Sequence, residues 1–333
     1  MSPGTFVPRT GFRLSAGLRL TFAVALLAYL LVKAEPLAVA RVFATVRWPP
    51  LVLVTALVLI DRALMARRWF VLLRPLDRER LPSFGAILRI FFVSTFVGTF
   101  LPASIGGDAV RAYSLSNHGV PLAAASASVF VDRMLGVLSL FLMALLGLSL
   151  ADGLASDRAI QVGLAATGLA CAIASVLIFS SAAETMAEKL LGRVTWNWVR
   201  RAPLSVLAAL RRYGQHRGAL WNVLAASVAV QVLRILQAYY LGAAIGLSVP
   251  LMAYFAFVPL IMLVMLLPVT VNGIGTSQAA FIWFFSRVGT TGHEAFALSV
   301  LFVALQVVGN IPGAVFVIAG TFSGRRCDVR SPK

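Results

Sequence analysis

Continuous apolar stretches alternate with short polar segments along this chain. A helix needs about 20 apolar residues to cross the hydrocarbon core of a bilayer, and most of the stretches approach or exceed that length. Because they are continuous rather than alternating in polarity, they indicate membrane helices and not barrel strands. The pattern predicts an all-α, polytopic helical membrane protein with about seven to eight hydrophobic spans. The apolar stretches are residues 14–32, 49–65, 83–101, 122–150, 159–180, 220–247, 251–267, 279–285 and 295–321.

Helix-breaking residues occur at two matching places in this pattern. Residues 101–107 read LPASIGG and residues 267–273 read LPVTVNG, so the two stretches align without a gap. The backbone groups that such breaks release are costly in lipid, and they are tolerated only inside protein or beside a wet cavity. In transporters, breaks at corresponding places in two halves of a chain indicate the substrate site. A pair of ordinary interfacial loops is the alternative interpretation.

Charged residues between the apolar stretches indicate the side of the membrane on which each loop lies. Lys and Arg concentrate in cytoplasmic loops. Segment 151–158 instead carries Asp152 and Asp157 against one arginine, so it is expected outside. Both termini are expected in the cytoplasm, because the basic clusters lie at residues 9–19, 62–89, 189–217 and 325–333.

The sides of the membrane assigned to these loops test whether the stretch 83–101 crosses the membrane fully. If it crossed the membrane fully, the acidic segment 151–158 would be cytoplasmic and the basic segment 189–217 external, which inverts the rule. If it enters, breaks at residues 102–107 and returns, every loop falls on its expected side. We therefore expect a re-entrant hairpin there, and a second one within residues 251–285 that is entered from the opposite face. An inverted repeat produces this arrangement.

The chain is expected to form one integral membrane domain, because no polar stretch is long enough for a separate soluble domain. A cleaved signal peptide is the alternative for the first apolar stretch, although a second span follows it soon. The domain covers residues 1–333 and comprises a first half at 14–180 with its motif at 96–113, a linker at 181–219, a second half at 220–321 with its motif at 267–277, and a basic tail at 322–333.

The linker is amphipathic in part. Leu204, Leu207 and Leu210 share one helical face, and basic and aromatic residues lie nearby. This combination suits the surface of an anionic leaflet. A solvated loop is the alternative.

Composition supports the membrane class and narrows the chemistry. The chain is 60% hydrophobic and 12% charged, and its net charge of +17 is distributed between apolar stretches, which favours membrane topology over a nucleic-acid partner. Cys171 and Cys327 suggest neither a disulfide framework nor a zinc site, and three scattered histidines form no metal cluster. The sequence contains no recognisable catalytic triad, phosphate loop or HExxH motif. We therefore expect no cofactor, and the sequence favours a function other than catalysis.

Arg234 is the least expected residue, because it lies near the middle of an apolar stretch. Polar side chains at membrane depth are expensive and are functional candidates by default. Ser227 and Gln231 extend Arg234 into one polar stripe, which we expect to face the protein interior. Its partner is then either an anionic lipid headgroup or a buried acid such as Asp108 or Asp132.

The first break is followed by further charged candidates. Asp108 and Arg111 are three residues apart, so they can pair on one helical face. The start of that helix offers free N–H groups to an anion. Asp132 and Arg133 point in different directions because they are adjacent, and snorkelling to the interface is the alternative for them.

The last apolar stretch has a small polar face formed by Ser299, Gln306, Asn310 and Gly313, for which helix packing is the alternative role. The full set of candidate substrate-binding residues is Gly106, Gly107, Asp108, Arg111, Asp132, Arg133, Gln231, Arg234, Asn272, Gly273, Gly275, Gln306 and Asn310.

Several of these motifs resemble a known family. The stretch 96–113 (FVGTFLPASIGGDAVRAY), the stretch 131–136 (VDRMLG), residues 268–277 and the NIPG at 310–313 are similar to the lysylphosphatidylglycerol synthase transmembrane family, also called flippase-like domain proteins. The resemblance extends over most of the chain and implies lipid translocation. Two-domain members carry a soluble aminoacyl-transferase domain after the membrane part. This chain ends at Lys333, so the resemblance implies the translocating part alone.

One departure from the family concerns the second motif, which often has an acidic residue after the glycines. This chain has Ser277 and Gln278 there, which puts an acidic role in doubt. Stand-alone members are linked to phospholipids, polyprenyl-linked sugars and hopanoids, and the motif does not choose among them.

The sequence thus predicts a multi-pass protein of the bacterial cytoplasmic membrane that moves an anionic lipid or lipid-linked headgroup between leaflets. Its expected partners are membrane lipids and not nucleic acid. A membrane-embedded enzyme that acts on a lipid phosphate is the second hypothesis, and a carrier of small solutes is the third.

Overall fold

The computed structural model describes Tyr29 and residues 36–75, 81–100, 105–149, 157–179, 197–266 and 273–323. All of the regular structure in these residues is helical, which confirms the all-α prediction. The helices are α1 Pro36–Ala44, α2 Trp48–Leu73, α3 Phe84–Phe100, α4 Ile105–Ser116, α5 Leu122–Ser149, α6 Arg158–Phe179, α7 Asn197–Gly214, α8 Arg217–Ala244, α9 Leu251–Leu266, α10 Thr276–Phe285 and α11 Gly292–Ser323, with a 3₁₀ turn at Ser286–Val288.

Four of these helices are long and apolar enough to cross a bilayer, namely α2, α5, α8 and most of α11. Helices α3, α6 and α9 contain shorter apolar segments. The chain is therefore a polytopic helical membrane protein. The predicted first span, residues 14–32, lies outside the described residues apart from Tyr29.

The first predicted hairpin is present as two helices, α3 and α4, that pack against each other. The Cα of Gly107 lies 3.0 Å from where a Cβ on Gly98 would be, so the two backbones touch at this level. Further from the break, the Arg111 guanidinium lies 5.7 Å from the ring centre of Phe91. The two helices are therefore antiparallel. The tip between them, residues 101–104, lies outside the described residues.

The second hairpin consists of α9 and α10. The ring of Phe257 on α9 lies 5.6 Å from that of Phe284 on α10, and Gly273 faces Met265 near the other end. These helices are therefore antiparallel as well. With 10 residues, α10 is too short to cross a bilayer alone. Residues 267–272 of this break lie outside the described residues.

The helices pair as an internal two-fold rotation requires. Helices α2 and α8 form a central pair, α3 packs on α11 as α9 packs on α5, and α4 packs on α5 as α10 packs on α11. The central pair is antiparallel: the Arg47 N–H at the start of α2 donates to the Ala244 carbonyl at the end of α8. The two halves are therefore inverted relative to each other, as in an inverted repeat.

Two glycines show the same relation at atomic scale. A Cβ on Gly313 of α11 would meet the Phe92 carbonyl of α3, and a Cβ on Gly147 of α5 would lie 2.6 Å from the Phe255 carbonyl of α9. These glycines allow the backbones to pack closely at the two equivalent crossings. Gly147 and Gly313 are separated by the same number of residues as the aligned glycines of the two breaks.

Two sequence-based interpretations need correction. The span predicted from the apolar stretch 49–65 is too short, because α2 continues to Leu73. Arg62 and Arg68, which were assigned to a cytoplasmic loop, are buried side chains within that helix. Hydropathy cannot identify such residues, because a buried, paired arginine has the same polarity as an arginine in a loop.

The amphipathic linker helix α7 also differs from expectation. Its apolar residues Leu207, Leu210 and Tyr213 are buried in a cluster with side chains of α2, α5 and α8. The predicted apolar face therefore covers the helical core, and is not free to lie on a leaflet. Burial, followed by the negative charge of Asp132, raises the pKa of Tyr213 above its ordinary value, so this hydroxyl stays protonated.

Candidate functional site

A cavity of about 380 Å³ lies between the first hairpin and the central helices α2 and α8. Helices α5, α9 and α11 complete its wall. One side of the wall is polar, whereas Met262, Met265 and Leu266 of α9 make another side apolar. The charged side chains of the lining are Arg62, Arg68, Asp108, Arg111, Asp132, Arg133 and Arg234.

Asp132 of α5 joins two of these arginines. Its Oδ1 accepts a hydrogen bond of 2.9 Å from Nε of Arg68, and its Oδ2 accepts one of 2.7 Å from Arg111. Arg68 also donates to Ser227 Oγ at 2.9 Å, and Arg111 lies 4.5 Å from the ring centre of Trp69. We call Arg68, Asp132 and Arg111 the Asp132 centre. All three side chains are buried, and the one carboxylate balances only one of the two guanidinium charges.

Asp61 of α2 lies between two other arginines, at longer distances. Its oxygens are 3.5 Å from Arg62 and 3.4 Å from Nε of Arg234, and neither oxygen has a hydrogen-bond partner among the described residues. We call Arg62, Asp61 and Arg234 the Asp61 centre. Arg62 donates instead to Gln306 Oε1 at 2.7 Å, and Arg234 to the Met65 sulfur at 3.2 Å.

The Asp61 centre contains the residue that sequence reasoning missed. Asp61 is completely buried, although it was not among the candidates. Arg234 does have an acidic partner in the protein, but this is Asp61 and neither Asp108 nor Asp132. A signal was available, since an acid within an apolar stretch is costly unless it is paired.

The predicted pairing of Asp108 with Arg111 is wrong. Asp108 accepts hydrogen bonds from Arg133 of α5, with a shortest distance of 2.7 Å, while Arg111 reaches Asp132 of the same helix. The two pairs join α4 to α5, so the contact between the helices determines the partners and not the local spacing. Asp132 and Arg133 bind different partners, consistent with the different directions expected of adjacent residues on a helix.

The polar stripe on α8 lies as expected toward the interior. Ser227 and Gln231 are buried, and the Gln231 amide donates weakly to Ser139 Oγ at 3.3 Å. On α11, Gln306 and Asn310 line the cavity, and Asn310 donates to Thr99 Oγ1 at 2.9 Å. The other two residues of that polar face, Ser299 and Gly313, do not line the cavity.

The glycines of the two breaks fall in different surroundings. Gly107 lines the cavity, whereas Gly106 is partly exposed beside it. Gly273 and Gly275 have φ values of 73° and 88°, which glycine adopts readily and other residues do not. Asn272 lies outside the described residues.

The side chain of Gln278 occupies the start of α10, where an acid was a possible family feature. Its Oε1 accepts a hydrogen bond of 2.6 Å from the Gly275 N–H and one of 3.0 Å from Ser277 Oγ. The Gln278 side chain therefore caps this end of the second hairpin in place of an outside anion at the Gly275 N–H.

One arginine of each centre is related to the other by the internal two-fold. Arg68 and Arg234 are separated by the same number of residues as the aligned glycines of the two breaks, and so are Asp61 and Ser227. Arg68 of the first half contacts Ser227 of the second, and Arg234 of the second contacts Asp61 of the first. The second half has no residue equivalent to Asp132, because Leu298 stands at that position. Arg234 therefore lacks the hydrogen-bonded acid that holds Arg68.

The site as a whole carries excess positive charge. Five arginines face three aspartates in the cavity and its two centres, which leaves two positive charges among the described residues. Several buried polar atoms there also lack hydrogen-bond partners in the described chain, including Nε of Arg62 and Arg234. Such an arrangement can bind an anion. Within the described residues, no group of histidine, cysteine or acidic side chains has the form of a metal site.

Comparison with known proteins agrees with this architecture. The sequence pattern described as the lysylphosphatidylglycerol synthase TM region matches residues 17–313, which is most of the chain. No curated protein and no solved structure matches the chain.

Proposed function

Because the chain belongs to the lysylphosphatidylglycerol synthase transmembrane-region family, we propose that it moves an anionic lipid, or a lipid-linked anionic headgroup, between membrane leaflets. The cavity is the proposed path of the headgroup. It combines positive side chains with an apolar wall, which suits the two chemically different parts of a lipid. A purely polar solute would gain little from the apolar wall.

The Asp61 centre carries this proposal. Guanidinium groups bind phosphate and carboxylate through pairs of parallel hydrogen bonds at about 2.7–2.9 Å. Arg234 makes no such pair, since its contact with Asp61 is 3.4 Å long and lacks hydrogen-bond geometry. A buried donor without a partner costs about 1–3 kcal/mol, and a phosphate of the substrate would recover that free energy.

The start of α4 supports the same function. Gly107 lines the cavity near Asp108 and Arg111, at the first turn of a helix whose N–H groups and dipole favour an anion. The corresponding turn of α10 is already capped by Gln278. The first hairpin is therefore the one we assign to headgroup binding.

The arrangement of acids favours transport over hydrolysis of a lipid phosphate. A hydrolase of that kind needs a free acid or base beside the substrate. In the described residues of the cavity and its two centres, each carboxylate contacts at least one arginine, and Asp132 contacts two through hydrogen bonds.

Transport is tested with purified protein in proteoliposomes. Phosphatidylglycerol, phosphatidic acid and a polyprenyl phosphate are each labelled with a fluorophore that external dithionite bleaches. We expect bleaching to proceed beyond the outer-leaflet fraction for at least one of them, and to stop at that fraction in liposomes without protein. Bleaching that stops there for all three lipids, with protein that is folded and inserted, would overturn the proposal.

The orientation that we propose is a cytoplasmic face at the linker and both termini, in a bacterial cytoplasmic membrane. Single cysteines at positions 157 and 214, in a background without Cys171 and Cys327, are exposed in intact cells to a thiol reagent that does not cross membranes. Position 157 should react and position 214 should not. The reverse pattern would exclude this orientation.

A further inference from the structure

We propose that the headgroup bound in the cavity carries two negative charges on phosphate, as in a phosphate monoester or in a diphosphate esterified at both ends. This inference rests on the proposed function and specifies its substrate class. It follows from the charge of each centre, which is not neutral in the absence of substrate.

Each centre retains one positive charge. In the Asp132 centre, one carboxylate faces Arg68 and Arg111. In the Asp61 centre, one carboxylate faces Arg62 and Arg234. Asp108 and Arg133 form a pair with no net charge.

The two centres can act on the same headgroup. Arg62 and Arg68 lie six residues apart on α2, about 9 Å along the helix axis, and both line the cavity. Arg111 and Arg234 line it too, from the first hairpin and from α8. A ligand in the cavity thus meets one excess positive charge from each centre.

Charge balance determines which headgroup is preferred. An uncompensated charge within a membrane protein is costly because the surroundings solvate it poorly. A headgroup with two negative charges neutralises the cavity, whereas phosphatidylglycerol leaves one positive charge and a zwitterionic lipid leaves two. A lipid with net positive charge, such as an aminoacylated one, adds to the excess and is rejected.

The test compares two lipids whose headgroups differ in charge and in the additional glycerol of phosphatidylglycerol, so the charge variants described below isolate the effect of charge. Labelled phosphatidic acid and labelled phosphatidylglycerol, with the same acyl chains, are followed in proteoliposomes at about pH 8, where a phosphate monoester with a second pKa near 6 carries about two charges. We expect the wild-type protein to move phosphatidic acid at least about ten-fold faster than phosphatidylglycerol. A labelled polyprenyl monophosphate, which is also a phosphate monoester, should behave like phosphatidic acid.

Two variants each lower the net charge of the cavity by one, in different ways. Gln306→Glu is isosteric and places a carboxylate against Arg62, to which Gln306 already bonds at 2.7 Å. Arg234→Gln removes a guanidinium from the same centre. Both should lower the ratio of the phosphatidic acid rate to the phosphatidylglycerol rate by about ten-fold. The matched control is Gln161→Glu, which adds the same charge on an exposed part of α6 and should leave the ratio unchanged.

The outcomes separate this inference from the proposed function. Equal wild-type rates for the two lipids, with a ratio that neither variant changes, would overturn the two-charge headgroup and leave anionic lipid transport standing. Absence of any lipid movement would overturn both. In detergent, inorganic phosphate should raise the melting temperature less than phosphatidic acid does. An equal or larger effect of inorganic phosphate would assign the cavity to a free anion and overturn the inference for lipid.

Discussion

The Asp132 centre and the Asp61 centre have the same composition, one aspartate between two arginines, but opposite bonding. Asp132 accepts hydrogen bonds of 2.9 and 2.7 Å from both arginines. Asp61 lies 3.4 and 3.5 Å from its arginines and accepts none from the described residues. The carboxylate of the Asp132 centre is therefore satisfied by the protein, although Nε of Arg111 has no partner among the described residues, whereas both oxygens of Asp61 have hydrogen-bonding capacity left.

This difference teaches that burial alone does not identify a binding residue. Asp132 and Asp61 are both buried, and both lie on helices long enough to cross a bilayer. We assign the Asp132 centre to holding α2, α4 and α5 together, because its bonds connect these three helices. We assign the Asp61 centre to the substrate, because its contacts are those that an anion can replace.

The largest predicted effect is the loss of stability in Asp132→Asn. The substitution leaves Arg68 and Arg111 buried without their shared carboxylate, and breaking a buried pair in this way costs about 3–5 kcal/mol. Thermal unfolding in detergent, followed by tryptophan fluorescence, should show a strongly lowered melting temperature. A melting temperature equal to that of the wild type would remove the structural role of this centre.

A smaller loss of stability is predicted for Gly107→Ala, which changes the packing of α4, the helix that carries Arg111, without changing a charge. The new Cβ would lie 2.9 Å from the Ser94 carbonyl and 3.2 Å from the Cα of Gly98, so α3 and α4 must separate. Such overpacking costs about 1–3 kcal/mol. Gly85→Ala is the control on α3, since nothing lies within 4 Å of its Cβ. Equal melting temperatures for the two variants would contradict the close packing of the hairpin.

A loss of stability smaller than that of Asp132→Asn is predicted for Asp61→Asn. It removes no hydrogen bond, and Arg62 keeps its bond to Gln306, but Arg62 and Arg234 lose their neighbouring carboxylate, so the free energy of unfolding should fall by less than the about 3–5 kcal/mol expected for Asp132→Asn. The cavity meanwhile becomes more positive, and phosphatidic acid should raise the melting temperature of this variant more than that of the wild type. A loss as large as that of Asp132→Asn would mean that the two centres do not differ in the way proposed.

The main features of the fold follow from the sequence. The aligned LPASIGG and LPVTVNG stretches predict both hairpins, because Pro combined with nearby Gly or Asn residues disfavours a continuous helix. Single prolines are less decisive, since Pro259 and Pro312 lie inside α9 and α11. The stripe of Ser227, Gln231 and Arg234 could be placed toward the interior, since polar groups avoid lipid. These inferences depend on local backbone chemistry and on the cost of polarity.

The partners of the charged residues could not be predicted. Asp108 and Arg111 have the spacing of a helical pair, yet each binds α5, because the contact between the two helices brings more favourable partners. Asp61 was missed because the arginines that follow it resemble a cytoplasmic loop. Whether an arginine is paired or solvated depends on residues distant in the chain.

The most direct test of the account is the transport rate of Arg234→Lys beside that of Arg68→Lys. Lysine keeps the charge but cannot reproduce the planar pair of hydrogen bonds that guanidinium offers to phosphate. If Arg234 binds the headgroup, Arg234→Lys should melt close to the wild-type temperature while its rate with the anionic lipid that the wild type moves falls by about ten-fold or more. Arg68→Lys should instead lower the melting temperature, because Arg68 bonds Asp132 and Ser227 at once. A wild-type rate in Arg234→Lys and in Arg234→Gln would contradict the assignment of the Asp61 centre to substrate.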